Sequence, residues 1–329
     1  MSKDLKILVC GGAGYIGSTF CHYLKKKGYN PVILDNLSKG HKEYVMDFEL
    51  YNYDIGDYNS VLSLIKKLKI DIVFHFSAFI EVGESVKDPI KYYENNTAKT
   101  INLLKACIDG NVKYFIFSST AAVYGIPEKY PITEELPANP INPYGRSKSM
   151  VEQVLRDLDM AGSMKSVSLR YFNASGALHS LETGEAHNPE THIIPRILDV
   201  ILGKSEYFTI YGDDYPTFDG TCVRDYIHVA DLAEAHFLAM QYLLSGGKTD
   251  IFNLGSENGY SVKQIIESIE KITKKKVDYK IGKRREGDPP ILIASSNKIK
   301  KILGWKANNN LDDIIQTAYL WHQKINNKK

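Results

Sequence analysis

Tyr144 and Lys148 are the two side chains in this 329-residue chain whose types and spacing could form a base. They follow Asn142-Pro143 and stand four residues apart, so on a helix they would share one face. An ammonium at roughly 6 Å would lower a tyrosine pKa of ~10 by about two units at an effective dielectric of about 20. A second cation would be needed for ionisation near neutral pH. By itself the pair is equally typical of an ordinary amphipathic helix.

A glycine-rich turn near the start of the chain predicts a site for a dinucleotide. Gly11 to Gly17 lies between an apolar run, Leu5 to Cys10, and a helical stretch that ends at Gly28. Such a turn lets backbone amides approach a pyrophosphate. Asp35 follows a second strand, where a carboxylate binds the adenosine ribose and repels a 2′-phosphate, although Asp is also common in turns. We therefore predict NAD, whose oxidised ring supplies the second cation; Lys39 leaves NADP as the alternative.

Apolar strands and helical stretches alternate through the first half of the chain. Strands are predicted over Pro31 to Leu34, Glu49 to Asp54, Asp71 to Phe76, Lys113 to Ser118 and Ser166 to Arg170, with helices over Tyr58 to Leu68 and Pro89 to Ile108. This order predicts an α/β fold with a Rossmann-type doubly wound parallel sheet. Ligands bind at the carboxyl ends of the strands in such a sheet, and we expect this edge to carry Gly11 to Gly17, Asp35, Asp54, Phe76 and Thr120.

The chain is long enough for two domains. We expect an NAD-binding domain over residues 1–172 and a smaller mixed α/β substrate-binding domain over residues 173–329. No flexible linker stands near Phe172, so the two should be closely docked and interleaved.

Eight stretches spread over nearly the whole chain carry a resemblance to a known family. They are Gly11 to Ser18, Val82-Gly83-Glu84-Ser85, Asn95-Asn96, Ser118 to Gly125, Tyr144-x-x-x-Lys148, Arg170-Tyr171-Phe172-Asn173, Arg224 to Val229 and Arg284-Arg285-Glu286-Gly287-Asp288. These stretches resemble the extended short-chain dehydrogenase/reductases, and within them the enzymes that epimerise UDP-hexoses. The resemblance implies reversible interconversion of UDP-glucose and UDP-galactose through a transient 4-keto sugar, with tightly bound NAD.

The same resemblance implies a catalytic role for Tyr144, Lys148 and Thr120. Tyr144 would take the proton of the sugar 4-hydroxyl, Thr120 would hydrogen-bond the sugar oxygen, and Lys148 would also hold the nicotinamide ribose. Ala121-Ala122 cannot transfer protons, which argues against dehydratase chemistry. The implied NAD contacts are Gly11, Gly14, Tyr15, Ile16, Gly17, Asp35, Asn36, Asp54, Ile55, Phe76, Asn95, Ser118, Tyr144, Lys148 and Tyr171.

Residues that would hold the UDP-sugar come largely from the second half. The implied contacts are Thr120, Tyr144, Asn173, His192, Thr209, Tyr211, Arg224, Arg285, Asp288 and Leu292. Arg224 and Arg285 suit a diphosphate because a guanidinium binds two oxygens at once, although isolated arginines are usually surface ion pairs.

Three positions depart from the common pattern of the family. Ile80 stands where a lysine can contribute to cofactor binding, and His192 where asparagine is common. Leu292 stands where a larger tyrosine tends to exclude N-acetyl sugars. The smaller leucine predicts that UDP-N-acetylglucosamine and UDP-N-acetylgalactosamine are also accepted.

Composition gives no indication of nucleic acid or membrane binding. The 41 basic and 39 acidic residues nearly cancel, and no apolar run approaches the ~20 residues of a membrane span. The widely spaced cysteines, Cys10, Cys21, Cys107 and Cys222, predict reduced, mostly buried thiols, and the nine histidines lack zinc-type spacing, which predicts no catalytic metal. The first strand begins too early for a signal peptide, so we expect a cytoplasmic protein. The family resemblance implies a homodimer.

Other functions remain open from the residues alone. A related epimerase of another UDP-sugar, such as UDP-glucuronate, or a nucleotide-sugar reductase would share Tyr144 and Lys148. A non-catalytic NAD-sensing regulator would not need Thr120, Tyr144 and Lys148 together. A purely structural or partner-binding role would leave the Arg284 to Asp288 segment unexplained.

Overall fold

The computed structural model describes residues 5–285 and 288–327. The strands are β1 Ile7–Cys10, β2 Val32–Leu34, β3 Leu50–Tyr51, β4 Ile72–His75, β5 Tyr114–Thr120, β6 Lys165–Tyr171, β7 Asn173–Ser175, β8 Phe208–Tyr211, β9 Val223–His228, β10 Asp250–Leu254, β11 Gly259–Ser261, β12 Tyr279–Gly282 and β13 Ile291–Leu292. The helices are α1 Tyr15–Lys26, α2 Lys42–Val45, α3 Tyr58–Leu68, α4 Val82–Lys87, α5 Pro89–Tyr92, α6 Lys99–Asp109, α7 Pro143–Met160, α8 Ile193–Ile201, α9 Val229–Leu244, α10 Val262–Thr273, α11 Asn297–Leu303 and α12 Leu311–Asn326.

Seven parallel strands form the central sheet in the order β10-β6-β5-β4-β1-β2-β3. The predicted Rossmann-type fold is therefore confirmed. Successive connections wind in opposite directions from β1, so a crevice opens at the carboxyl ends of β1 and β4, where ligands bind in such sheets. The last strand, β10, comes from the second half of the chain. The domain boundary at residues 172 and 173 stays a prediction.

Alternating side chains of the buried strands pack against helices on both faces of the sheet. Ile7 and Val9 of β1 belong to the core shared with α1 and α9, whereas Leu8 and Cys10 belong to the core shared with α3, α6 and α7. This packing holds the strand ends, and the loops that follow them, in fixed positions.

Two predicted elements differ in detail from the structure. The strand predicted over Glu49 to Asp54 is limited to β3, Leu50–Tyr51, which pairs only with β2 at the sheet edge. The helix predicted from Pro89 runs through a π-helical segment, Tyr93–Ala98, between α5 and α6. Within that segment the buried Asn96 side chain accepts from the Phe79 amide (2.9 Å) and donates to the Phe79 carbonyl (3.0 Å). Such wide turns often mark functional sites.

The second half adds two small sheets beside the crevice. β9 pairs with β7, β11 and β13, and β8 pairs in parallel with β12. Helices α8, α10 and α12 pack on these strands through a separate apolar core that includes Ile197, Ile265 and Ile315. Among the residues that the structure describes, no helix combines the length and apolarity that crossing a membrane requires.

Candidate active site

A cavity of about 1460 Å³ lies between the carboxyl edge of the central sheet and the small sheets of the second half. This volume exceeds the ~300–1000 Å³ that is usual for a single small ligand. Every predicted NAD and UDP-sugar contact except Ser118 lines this cavity. The structure therefore brings the residues of both predicted sites to one place.

The glycine loop makes a tight turn at the start of α1. A Cβ at Gly17 would lie 2.2 Å from the Gly11 carbonyl oxygen, and one at Gly11 would lie 2.6 Å from the Ser77 amide nitrogen. Gly11 also has a φ of +79°, which favours glycine. No side chain caps the N-terminus of α1 at Gly14, so the first amides of the helix are available to a phosphate. These features fit the pyrophosphate of a dinucleotide.

Asp35 and Asp54 are held in place by donors on neighbouring loops. The Asp35 carboxylate accepts from the amides of Ala13 (3.0 Å) and Leu37 (2.8 Å), which oppose the rise in its pKa caused by burial. Asp54 accepts from Lys99 Nζ (2.7 Å) and from the Asn36 amide group (2.9 Å).

Lys39 is the residue for which NADP was kept as an alternative cofactor, since a lysine there could bind a 2′-phosphate. In the structure its ammonium has other partners at the cavity wall. Its ammonium lies 3.8 Å from a Glu81 carboxylate oxygen and 3.3 Å from the Asn188 carbonyl oxygen. A buried Asp35 beside a partnered Lys39 favours a free ribose hydroxyl over a 2′-phosphate.

Tyr144 and Lys148 lie in the first turns of α7, which Asn142 caps by accepting from the Gly145 amide at 2.8 Å. Lys148 is 3% exposed, and its Nζ donates to the Ser118 carbonyl oxygen at 2.9 Å. Burial lowers the pKa of Lys148 to about 7, against the attraction of the nearby Glu152 charge. The ammonium is thus held in a fixed position in the cavity wall.

The ionisation of Tyr144 differs from the expectation based on spacing. Burial raises its pKa, and its hydrogen bond with Thr120 is what acts in the opposite direction. The Lys148 ammonium donates to the Ser118 carbonyl oxygen, and its effect on the tyrosine pKa stays a prediction. The need for a further positive charge beside the phenol is correspondingly greater.

Thr120 and Ser118 end the same strand but face different surroundings. Thr120 lines the cavity and its hydroxyl accepts from the Ala122 amide at 3.1 Å. Ser118 lies behind the wall, where its hydroxyl lies 3.3 Å from His236 Nε2. The Ser118 carbonyl holds Lys148, but the residue does not line the cavity, and its contact with NAD stays a prediction. Ala121 and Ala122 also line the cavity and offer no proton-transfer group.

A buried ion pair stands behind Lys148 and was not predicted from the sequence. Arg170 of β6 and Glu152 of α7 are each 2% exposed, with Nε–Oε1 and Nη2–Oε2 distances of 2.8 and 2.5 Å. Ser119 donates to the same carboxylate at 2.5 Å. Spacing along one element gives no signal for such a pair, because its members come from different elements.

Charged and polar groups of the second half face the same cavity. Arg224 donates to Asp288 (2.9 Å) and to the Val223 carbonyl oxygen (2.9 Å), and the Arg285 guanidinium lies 4.1 Å from the centre of the Tyr211 ring. Asn173 donates to the Asp225 carbonyl oxygen at 2.9 Å, which leaves its side-chain oxygen for a ligand. Glu286 and Gly287, part of the Arg284 to Asp288 stretch, lie outside the described residues.

His192 lies in a cluster that sequence reasoning missed. Its Nδ1 is 2.8 Å from Glu185 and 2.9 Å from Glu190, and His187 completes the group. The signal in the sequence is Glu185-x-His187-x-x-Glu190-x-His192, which is not a usual zinc motif. Because the Nδ1 nitrogen of His192 already contacts the two glutamates, Nε2 is its nitrogen that could reach a substrate.

Comparison with known proteins agrees with this geometry. Residues 7–255 match the NAD dependent epimerase/dehydratase family. A UDP-glucose 4-epimerase of Lactobacillus helveticus is 49% identical over 321 residues, 97% of each chain. Solved structures of UDP-glucose 4-epimerase from Brucella ovis in complex with NAD and of the UDP-Glc/GlcNAc 4-epimerase from Campylobacter jejuni have TM-scores of 0.94 and 0.86. These two are 45% and 42% identical and cover 96% and 97% of this chain and 98% and 99% of their own.

The fold, the glycine loop and the Tyr144–Thr120 pair define a nucleotide-binding enzyme of the epimerase and dehydratase type. This chain belongs to the NAD-dependent epimerase/dehydratase family.

Proposed function

We propose that this protein interconverts UDP-glucose and UDP-galactose by inverting the sugar at C4. The observation that carries the proposal is that Thr120, Tyr144 and Lys148 line the same cavity as the glycine loop and Arg224. A sugar at this point lies within reach of both a base and a dinucleotide. The relatives described above, which are UDP-glucose 4-epimerases, support the same reaction.

The proposed chemistry divides between the chain and its cofactor. The glycine loop and Asp35 would hold NAD, which would supply the acceptance of a hydride from C4 of the sugar and its return to the opposite face. Tyr144 removes the proton of the 4-hydroxyl and later gives it back, while the Thr120 hydroxyl hydrogen-bonds the same oxygen. Lys148, fixed by its hydrogen bond to the Ser118 carbonyl, would hold the nicotinamide ribose. The cycle leaves no net oxidation, and Ala121 and Ala122 supply no group for elimination.

The remaining cavity residues suit a nucleotide diphosphate sugar. Arg224 and Arg285 are the cations for the diphosphate, and Asp288 keeps one carboxylate oxygen for the uridine ribose. Strand β8 pairs with β12 alone among the described strands and lines the cavity, so the backbone over residues 209–211 can hydrogen-bond uracil. Asn173 and His192 complete the contacts of the sugar and phosphate.

Leu292 leads us to include N-acetyl sugars among the substrates. It lines the cavity and packs beside Val123 and Tyr124, where a leucine leaves more room than a tyrosine. We expect turnover of UDP-N-acetylgalactosamine, and Leu292→Tyr should reduce this activity much more than the activity on UDP-galactose. Equal losses on the two sugars would contradict this role.

A homodimer is also part of the proposal. The segment from Pro89 to Asp109 and helix α7 lie side by side and expose several apolar side chains to solvent: Ile90, Ile101, Ile108, Met150 and Met160. Such a patch is typical of an interface between subunits. The four free, buried cysteines support the cytoplasmic location.

The test is incubation of the purified protein with UDP-galactose without added nicotinamide cofactor, followed by separation of the products. We expect UDP-glucose to form, because the cofactor is retained. A reductase would form no UDP-glucose under these conditions and would consume reduced nicotinamide stoichiometrically when it is added, and the proposal would then be wrong. Tyr144→Phe should retain the fold and lose the activity; unchanged activity in that variant would contradict the mechanism.

A further inference from the structure

Four donor side chains converge in the loop between β7 and α8. Glu185, His187, Glu190 and His192 each offer one nitrogen or oxygen atom, and these atoms all lie within 4.8 Å of one another. The donors form a ring in which His192 Nδ1 is 2.8 Å from Glu185 and 2.9 Å from Glu190. His187 Nδ1 closes the ring at 3.3 Å from Glu185 and 3.9 Å from Glu190.

These separations match the spacing of ligands around a small metal ion. With metal–ligand bonds of about 2.1 Å, neighbouring ligands lie about 3.4 Å apart in a tetrahedron and about 3.0 Å apart in an octahedron. Two imidazoles and two carboxylates are a donor set that suits Zn²⁺ and related transition metals. The chain thus presents four suitable ligands at nearly the required distances.

The hydrogen bonding of the cluster is incomplete without a cation. His187 Nδ1 and the Glu190 oxygen nearest to it are buried and have no hydrogen-bond partner among the described residues. The Glu185 side chain is 5% exposed and lies beside a second carboxylate, so the pair needs positive charge, which a proton on His192 or a metal ion in its place would supply. His322, also 5% exposed and unpartnered at both ring nitrogens, lies within the electrostatic influence of Glu185 and Glu190.

The backbone of this loop is already fixed by contacts with other elements. Trp321 Nε1 of α12 donates to the Glu185 carbonyl oxygen at 2.9 Å, and His41 Nε2 lies 2.9 Å from the Ala186 carbonyl oxygen. Trp321 and His41 hold the backbone without using the four donor atoms. Binding of a metal would therefore require little reordering of the chain.

We propose that Glu185, His187, Glu190 and His192 form a structural site for a divalent transition metal, and the donor chemistry favours Zn²⁺ as its occupant. The metal fixes the 185–192 loop along the cavity wall and takes no part in the proton transfer at Tyr144. It also commits His192 Nδ1, so that Nε2 is the nitrogen that faces other ligands. The site goes beyond the proposed epimerase function and does not depend on the sugar.

The experiment uses full-length protein with its cofactor, freed of metal by a chelator and titrated with Co²⁺. We expect one equivalent to bind and to give the intense visible absorption of a low-symmetry site with nitrogen and oxygen ligands, which one equivalent of Zn²⁺ abolishes. Glu190→Gln and His187→Asn should each weaken Co²⁺ binding by on the order of 100-fold, the upper range seen even for outer-shell changes. Both variants are compared with wild type by circular dichroism.

Glu182→Gln provides the matched control, since this carboxylate lies in the same loop but pairs with Ser180. It should bind Co²⁺ as wild type does. Absence of a stoichiometric Co²⁺ complex in wild type overturns the proposal, and so does binding that neither Glu190→Gln nor His187→Asn weakens. Loss of binding in one folded variant is sufficient support if the other does not fold. Epimerase activity in chelator is measured separately, so failure of the metal site is distinguishable from failure of the proposed function.

Discussion

The pKa of Tyr144 is subject to two opposing influences, burial and the neighbouring Thr120 hydroxyl. Burial favours the neutral phenol, and the Thr120 hydroxyl favours the phenolate. Lys148 cannot be treated as an exposed ammonium, because burial lowers its pKa to about 7. In the proposed mechanism the tyrosine base is therefore incomplete in the protein alone, and it would gain strength when the positively charged nicotinamide ring binds next to it. Removal of the sugar proton by Tyr144 would then require oxidised NAD to be bound.

Thr120→Val tests the residue-level part of this balance. The change removes the hydrogen bond that favours the phenolate, so the pKa of Tyr144 should rise and the rising limb of the pH–rate profile should move to higher pH. We expect the rate of UDP-galactose conversion at neutral pH to fall by on the order of 100-fold. Thr120→Ser keeps the hydroxyl and should remain close to wild type. Equal rates for the valine and serine variants would contradict the assignment.

Between elements, the Glu152–Arg170 pair connects α7, which carries Tyr144, to β6. Removing one partner leaves the other charge buried, which costs about 3–5 kcal/mol of unfolding free energy. Glu152→Gln and Arg170→Met should each lower the urea midpoint strongly, whereas the double variant should lose less than the two losses added together. Asp109→Asn, in an exposed pair with Lys105, should leave the midpoint almost unchanged. Additive losses would mean that the two charges do not interact.

The glycine loop also allows an element-level test. In Gly17→Ala, the new methyl group would collide with the Gly11 carbonyl at 2.2 Å, so the turn that faces the pyrophosphate must open. We expect NAD to be largely lost on purification, measured by absorbance of the released nucleotide. Gly83→Ala in α4 is the matched control, because nothing lies within 4 Å of its new Cβ. NAD retention equal to that of the control would show that the loop tolerates the methyl.

Elements with local signals could be predicted from the sequence, and features that depend on tertiary contact could not. The strand, glycine turn and helix at residues 7–26 are specified by neighbouring residues, and so is the capped start of α7. The π-helical turn depends on Asn96 reaching Phe79, and the ring of Glu185 and His192 depends on loop folding. The pKa of Tyr144 depends on burial, which spacing does not reveal.

For the whole molecule, three fully buried histidines predict sensitivity to acid. Burial lowers the pKa of His75 and His228 to about 3 and that of His236 to about 4. Below pH ~6.5 these three histidines bind protons in the unfolded chain but stay neutral in the folded chain. The free energy of unfolding therefore falls as the pH falls, by about 1.4 kcal/mol per pH unit for each histidine. The loss continues down to the folded pKa values.

Urea unfolding at neutral pH and at about pH 5 measures this loss, to which each histidine contributes about 2 kcal/mol. His75→Gln, which can still bond Thr100, should remove about a third of the contribution from these three groups. An unfolding free energy that does not fall on acidification would contradict the prediction.

The place of β10 has a consequence for how the chain is made. The central sheet lacks its outer strand until Asp250–Leu254 has been synthesised, and until then β6 presents an unpaired edge. An exposed edge strand invites pairing with other chains. A fragment that ends at residue 172 would carry the glycine loop and Tyr144 but would leave the edge of β6 unpaired. We therefore expect such a fragment to aggregate, and the nascent protein to need the later half of its own chain to cover this edge.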